Sequence, residues 1–306
     1  MANDKHRGLT DRKPGALNLF YAAHTMPIQP PLPIRQPAVA GAFYPGQRSN
    51  LSSEVTALLA GVGPADHRNK SDARTPKAVI VPHAGYIYSG ATAALAYARL
   101  SPARHTIRRV VLLGPVHRVP TPGLALPGAT AFATPLGTIE MDQAAVDAIR
   151  HLRQVVVSPA AHAMEHSLEV QLPFLQVVLE DFKLLPLAVG DATPDEVAQV
   201  LEALWGGPET LIVISSDLSH FLPYKTAQAV DQDTVNHILA LDGPLTHQQA
   251  CGGTPVNGLL LAAKRHHLQA QLLGLCNSGD TAGDKGRVVG YASVAFMEEA
   301  HHAQPH

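Results

Sequence analysis

The chain has 306 residues, 46% of them apolar and 16% charged, and 23 Lys and Arg against 25 Asp and Glu give a formal net charge of −2. Enough apolar residues are present for a buried core, which excludes a solvated, disordered chain. The balanced charge offers no electrostatic grip on nucleic acid or acidic lipid, and no apolar run approaches the roughly 18 residues that a membrane helix needs.

Residues 1–33 begin with Asp4, Lys5, His6 and Arg7 and close on Pro27, Pro30, Pro31 and Pro33. They are expected to form a disordered, Pro-rich extension, with Met26 as an alternative start. The apolar run and cleavage site of a secretory signal are missing. From 34 to 298 short apolar runs alternate with helical stretches. The runs at 78–81 (AVIV), 109–113 (RVVLL), 184–189 (LLPLAV), 211–214 (LIVI) and 288–296 (VVGYASVAF) are too short for helices and apolar on both faces. Such runs predict strands buried on both faces of a mostly parallel sheet.

Helix starts are also marked. Asp142 caps a stretch carrying Val146, Ile149 and Leu152. Leu168, Leu172, Leu175 and Leu179 recur at helical spacing, and Pro173 inside that stretch kinks it or shifts its start. Thr193, Pro194 and Glu196 form a capping box that opens a helix with Val197, Val200, Leu201 and Leu204 on one face. Without an internal repeat or linker, residues 34–298 predict one α/β domain with a mostly parallel central sheet flanked by helices. Residues 299–306, with His301, His302 and His306, read as a His-rich surface tail.

The two cysteines, Cys251 and Cys276, are too few for a disulfide framework, so a reduced, cytoplasmic setting is expected. Histidine is abundant, at 17 residues against 7 Tyr, 7 Phe and one Trp. Its placement is informative, because it is the commonest metal ligand and a frequent acid or base. Three strands run into polar loops: PHAGY with His83, GPVHR with His117, and SSDLSH with Asp217 and His220. In open α/β sheets sites form outside the carboxyl ends of the strands, so these four residues are expected to converge.

Cys251 lies in QACGGTPV, where two glycines permit close backbone approach and Thr254 and Pro255 open a helix. A thiol at a helix start can have a lowered pKa and serve as ligand or nucleophile; the alternative is a small buried residue in a tight turn. Cys276 reads as a structural residue in a loop. Glu165 and His166 stand at a helix start, either at the rim of the site or as an ordinary charged first turn. Tyr86 and Tyr88 either wall the pocket or pack beside it. Ser216, Asp217 and His220 match a hydrolase triad in composition only. Dinucleotide, P-loop, nucleophile-elbow, HExxH and CxxC motifs are all missing.

These segments resemble the Memo family, known in prokaryotes as AmmeMemoRadiSam system protein B. RQPAVAGAFYPG, VPHAGYIYSG, LLGPVHRV, ATPLG, EHSLEVQLPFL, ISSDLSHF, CGGTPV and GYASVAF carry the match, in family order, from residue 35 to about 297. The family's fold is similar to that of class III (LigB-type) extradiol dioxygenases. The resemblance implies a mononuclear metal site of His83, His117 and Cys251. It places Asp217 and His220 in the pocket, with His220 where the dioxygenases carry an acid/base histidine. Val116 departs from the polar residue that many relatives have before the histidine, which alters a hydrogen bond beside the ligand and leaves the ligand intact.

Two imidazoles and a thiolate leave coordination positions open, and a thiolate favours Fe(II), copper or Zn(II) over Mg(II) or Ca(II). Fe(II) is the first expectation. Three readings follow: a metal-dependent redox protein of unknown substrate, a non-catalytic component binding a metal, a peptide or a small molecule, and a zinc-type hydrolase. The family's prokaryotic partners imply an AMMECR1-like protein and a radical SAM protein as partners.

Overall fold

The computed structural model describes residues 33–63 and 74–299. The extension read over 1–33 and the tail read over 299–306 lie, except for Pro33 and Glu299, outside the described residues. In chain order the first half contains β1 (Ile34–Arg35), α1 (Arg48–Ala60), β2 (Ala78–Val81), α2 (Tyr86–Ala98), β3 (Arg109–Pro115), β4 (Leu124–Leu126), β5 (Ala131–Thr134), β6 (Gly137–Glu140), α3 (Gln143–Ile149), β7 (Val155–Val157) and α4 (Pro159–Ala163). The second half adds α5 (Leu172–Val178), β8 (Lys183–Val189), α6 (Pro194–Ala203), β9 (Thr210–Ser215), β10 (His220–Leu222), α7 (Tyr224–Leu239), α8 (Gly253–Arg265), β11 (Gln269–Asn277) and β12 (Val288–Met297).

A nine-stranded sheet organises the domain, in the order β10-β12-β2-β9-β3-β8-β4-β7 with β11 also on β12. Its centre is parallel: β2 pairs with β9, β9 with β3, and β3 with β8. Val81 stands opposite Ser215 and Pro115 opposite Val189, so these strands end together. The flanks are mixed: β12 on β2, β10 and β11 on β12, and β4 on β8 are antiparallel, while the edge strand β7 is parallel to β4. The run at 288–296 is therefore a strand, as expected, but it runs against the parallel centre. A second, small sheet joins β1, β5 and β6.

Side chains alternate between two cores, one per face. Val79, Val81, Val110, Leu112 and Val213 enter the core beside α1, α2 and α5. Ile80, Val111, Leu113, Ile212 and Ile214 enter the core beside α6, α7 and α8. Period-two alternation into two apolar layers is what makes the runs apolar throughout.

The capping signals act as read. Thr193 accepts from Glu196 N–H and Glu196 answers to the Thr193 backbone, and Asp142 accepts from Ala145 N–H. Each such cap contributes about 1 kcal/mol. Pro173 shifts a start: a 3-10 turn at Glu169–Gln171 comes first, and the proline occupies the first turn of α5. Cys276 is not in a loop. It lies on β11, with Sγ 3.0 Å from Thr92 Oγ1. Among the described residues no helix is long and apolar enough to cross a membrane.

Candidate metal centre

The site forms where the parallel strands end. His83 follows β2, His117 follows β3 and Asp217 follows β9, the strand between them. Asp217 Oδ1 accepts from the His83 backbone N–H at 2.7 Å, which joins two of these loops.

A fourth segment, 162–169, is laid over the end of β3. Ser167 donates to the Pro115 carbonyl at 2.8 Å. The approach needs Gly114, where a Cβ would lie 2.9 Å from Ser167 Oγ and 3.0 Å from the Leu168 side chain. Arg35 on β1 holds the segment from the other side. Its Nη2 donates to the carbonyls of His162 at 3.0 Å and Glu165 at 2.7 Å.

This packing carries His166 to the other histidines. Ring centroids are 5.2 Å apart for His83 and His117, 5.4 Å for His83 and His166, and 4.6 Å for His117 and His166. One nitrogen from each ring lies within 4.8 Å of the other two, a spacing that can hold a metal ion. The sequence placed His166 beside the ligands; the structure puts it among the candidate ligands.

Glu165 orients two of the rings. It is only 2% exposed. Oε2 accepts from His117 N–H at 2.6 Å, and Oε1 lies 2.9 Å from His117 Nδ1. Oε1 also accepts the backbone N–H groups of His166 and Ser167 and lies 3.3 Å from His166 Nδ1. Burial resists the charge, but the bonds from His117 and His166 outweigh it and hold the carboxyl well below the usual range. An ionised carboxylate only accepts, so His117 Nδ1 carries a proton, and Nε2 is the nitrogen that offers a lone pair when the ring is neutral. Carboxylate-backed imidazoles of this kind are common metal ligands.

His83 is 1% exposed, with Nδ1 2.9 Å from Ser215 Oγ and Nε2 3.3 Å from Cys251 Sγ. Burial first, then the neighbouring His117 and His166, pushes its pKa well down. The ring is neutral, which is the form a metal binds.

Cys251 reaches this point because Gly252 lets its loop lie against Ser216, where a Cβ on Gly252 would come within 2.7 Å of Ser216 Cβ. Cys251 N–H donates to Asp217 O, and Asp217 N–H donates to Cys251 Sγ at 3.3 Å. The helix start does not lower the thiol pKa here. Burial, followed by the Asp217 charge, pushes it up to about 12. The thiol touches His83 and stays outside the mutually close histidine group.

The remaining expected residues divide. Asp217 is buried, and burial raises its carboxyl pKa. His220 Nδ1 donates to the Leu218 carbonyl at 2.8 Å, so Nε2 is the nitrogen that can accept when the ring is neutral. The next residue, Phe221, is held at φ +61°, a left-handed conformation unusual for a bulky side chain. Ser216 donates its hydroxyl proton to Asp217 O, so it is not set up as a nucleophile. Tyr86 is a core residue: its ring packs on Tyr44 and Phe174 and its hydroxyl donates to Val170 O. Beside Cys251 a cavity of about 360 Å³, also lined by Val116, Asp191, His247 and Thr254, has room for a small molecule.

Imidazole nitrogens and an adjacent thiol are donors that suit Fe(II), copper or Zn(II) and do not suit Mg(II) or Ca(II), which prefer oxygen.

Known proteins resemble this chain over most of its length. The family model described as Memo-like protein matches residues 35–295. A MEMO1 family protein of Methanosarcina acetivorans is 37% identical over 276 residues, covering 85% of this chain and 98% of that one. One from Aquifex aeolicus is 36% identical over 277 residues, covering 86% and 99%. One from Sulfurisphaera tokodaii is 34% identical over 282 residues, covering 86% and 99%. A looser likeness, at TM-score 0.44 and 14% identity over 72% of this chain and 99% of the other, is to the crystal structure of an uncharacterized protein from Escherichia coli K12. At that distance it bears on neither fold nor function.

Proposed function

The chain belongs to the Memo-like protein family, and on that premise we propose that it is a metal-dependent redox protein acting on a small molecule at the ends of the parallel strands. The observation that carries this reading is the meeting of His83, His117 and His166, with the Cys251 thiol against His83. His83, His117 and Cys251 are the ligands that the family resemblance implies; His166 is the addition suggested by its position. Fe(II) is the first choice, then copper, then Zn(II). Bound there, iron or copper would supply one-electron chemistry and a Lewis acid with open positions.

The chain's own groups have separate tasks. Glu165 fixes the rings of His117 and His166 through Nδ1. Asp217 accepts the backbone N–H groups of His83, through Oδ1, and of Cys251, through its carbonyl. His220 Nε2 accepts or returns a substrate proton, at the edge strand where Phe221 is exposed. The cavity beside Cys251 gives the substrate a way in.

A second reading, a non-catalytic component that holds a metal or a peptide for an AMMECR1-like protein and a radical SAM protein, is favoured by one observation. Ile87, Met164 and Phe221 are 69%, 54% and 59% exposed, and each lies within four residues in sequence of His83, Glu165 or His220. Exposed apolar side chains of this kind suit a docking partner.

The test is anaerobic loading with Fe(II) or Cu(I), followed by chemical oxidation and re-reduction under electron paramagnetic resonance. Reversible cycling of one bound ion supports the redox reading. Zn(II)-dependent, oxygen-indifferent hydrolysis favours the hydrolase instead, and binding without cycling favours the non-catalytic component.

A further inference from the structure

Behind His83 lies a chain of hydrogen bonds whose directions can be worked out. The Pro82 carbonyl can only accept, so the atom of Gln171 that lies 2.9 Å from it is Nε2. That settles the amide: Oε1 receives the Tyr97 hydroxyl at 2.8 Å, and the second Nε2 proton goes to Ser215 Oγ at 2.8 Å. Ser215 has one proton, and it points to the Ser167 carbonyl at 2.6 Å, another group that only accepts. Ser215 Oγ thus has no proton left for His83. At 2.9 Å from His83 Nδ1 it can only receive one. Ser215, Gln171, Tyr97 and Ser167 are all buried, so no water-exposed alternative competes.

We infer that Ser215, held in place by Gln171, is a positioning residue that fixes His83 as the Nδ1–H tautomer and turns the Nε2 lone pair into the site. This goes against the ring's own preference, because a free neutral imidazole side chain favours the proton on Nε2. Glu165 does the same for His117 with a full charge; Ser215 does it for His83 with a neutral, directed hydroxyl. The same serine binds the Ser167 carbonyl, two residues from Glu165, so one hydroxyl ties the two histidine-orienting segments together. The inference rests on the reading of His83 as a ligand, but its central test needs no metal.

The experiment is long-range proton–nitrogen NMR on the full chain, labelled with ¹⁵N-histidine and stripped with chelator, with the His83 signals identified by their loss in His83→Asn. The expected result is a protonated Nδ1 and a bare Nε2 on His83 in the wild type. Ser215→Ala is expected to move the proton to Nε2 and to weaken Zn(II) uptake roughly 10- to 100-fold, as for other groups that orient metal-bound histidines. Ser215→Thr, which keeps the hydroxyl, is expected to restore both. A wild-type His83 with its proton on Nε2 overturns the inference, and so does an unchanged tautomer in a folded Ser215→Ala. Should the tautomer and its change appear as expected while Zn(II) does not bind, the positioning stands and the metal reading falls.

Discussion

Replacing Glu169 with alanine removes a buried carboxylate that gathers four donors: the Arg35 guanidinium, the backbone N–H groups of Ala38 at 2.8 Å and Val39 at 3.0 Å, and the Tyr44 hydroxyl at 2.6 Å. Burial and then the negative charge of Glu169 raise the Tyr44 pKa, as an ionised partner should. Arg35 is itself buried and cannot turn to water, because its other nitrogens are bound to the His162 and Glu165 carbonyls. Breaking a buried pair from one side leaves an uncompensated charge and costs about 3–5 kcal/mol. In a domain of this size each kcal/mol moves Tm by roughly 2–4 °C, so the expected fall is on the order of 6–20 °C.

Denaturant unfolding is the assay, with a lowered midpoint at unchanged slope as the signature. Glu169→Gln, which keeps an acceptor oxygen, is expected to fall between alanine and wild type. The double variant Arg35→Met, Glu169→Leu is expected to lose less than the sum of the single changes. A loss below about 1 kcal/mol in Glu169→Ala refutes the reasoning, since that is the scale of an exposed pair.

Three further outcomes are expected. Burial pushes the His162 pKa down to about 4, against about 6.5 for an unperturbed histidine. The unfolded chain therefore binds the proton first as pH falls, and stability is complete above about pH 6.5 and declines towards pH 4, by about 3 kcal/mol from this group. Unfolding midpoints across that window should fall less steeply in His162→Gln, and parallel curves would contradict the assignment. Thr193→Ala breaks the capping box of α6 and should cost about 1 kcal/mol, read as a shift in the denaturant midpoint. Glu165→Gln withdraws the charge that orients His117 and His166 and should weaken metal uptake roughly 10- to 100-fold in a chelator competition.

Much of the domain is legible in the sequence because its signals are local. The five apolar runs are strands, and Thr193, Asp142 and Pro173 act where they stand. Strand direction is less visible: an apolar run is equally apolar in either sense, so nothing in 288–296 distinguishes the antiparallel β12. Strands β4 and β7 have three residues each, too few for a pattern. Strand β11 mixes Gln269, Gln271 and Gly274 with leucines at a half-buried edge, which blurs its period.

The site divides in the same way. His83, His117 and Asp217 follow strands and were readable from that position. The position of His166 depends on Gly114 letting segment 162–169 close in and on Arg35 gripping that segment from about 130 residues away. The one local clue was the Glu165–His166 pair itself, a carboxylate beside an imidazole. The sequence leaves the Cys251 thiol open between a lowered pKa at a helix start and a small buried residue in a turn; burial and Asp217, which both favour the protonated form, decide against the lowered pKa.

The central claim is that the strand-end histidines hold a metal ion, and the direct measurement is metal content and Fe(II) affinity of anaerobically purified protein. Wild type should be compared with His83→Ala, His117→Ala, His166→Ala, Cys251→Ser and Cys276→Ser. The account predicts a single ion per chain in wild type and Cys276→Ser. It predicts loss of that ion in the His83 and His117 variants and weakened retention in the His166 and Cys251 variants. A folded wild type that takes up no Fe(II), Cu(I) or Zn(II), or His83→Ala and His117→Ala proteins that retain the ion unchanged, would contradict it.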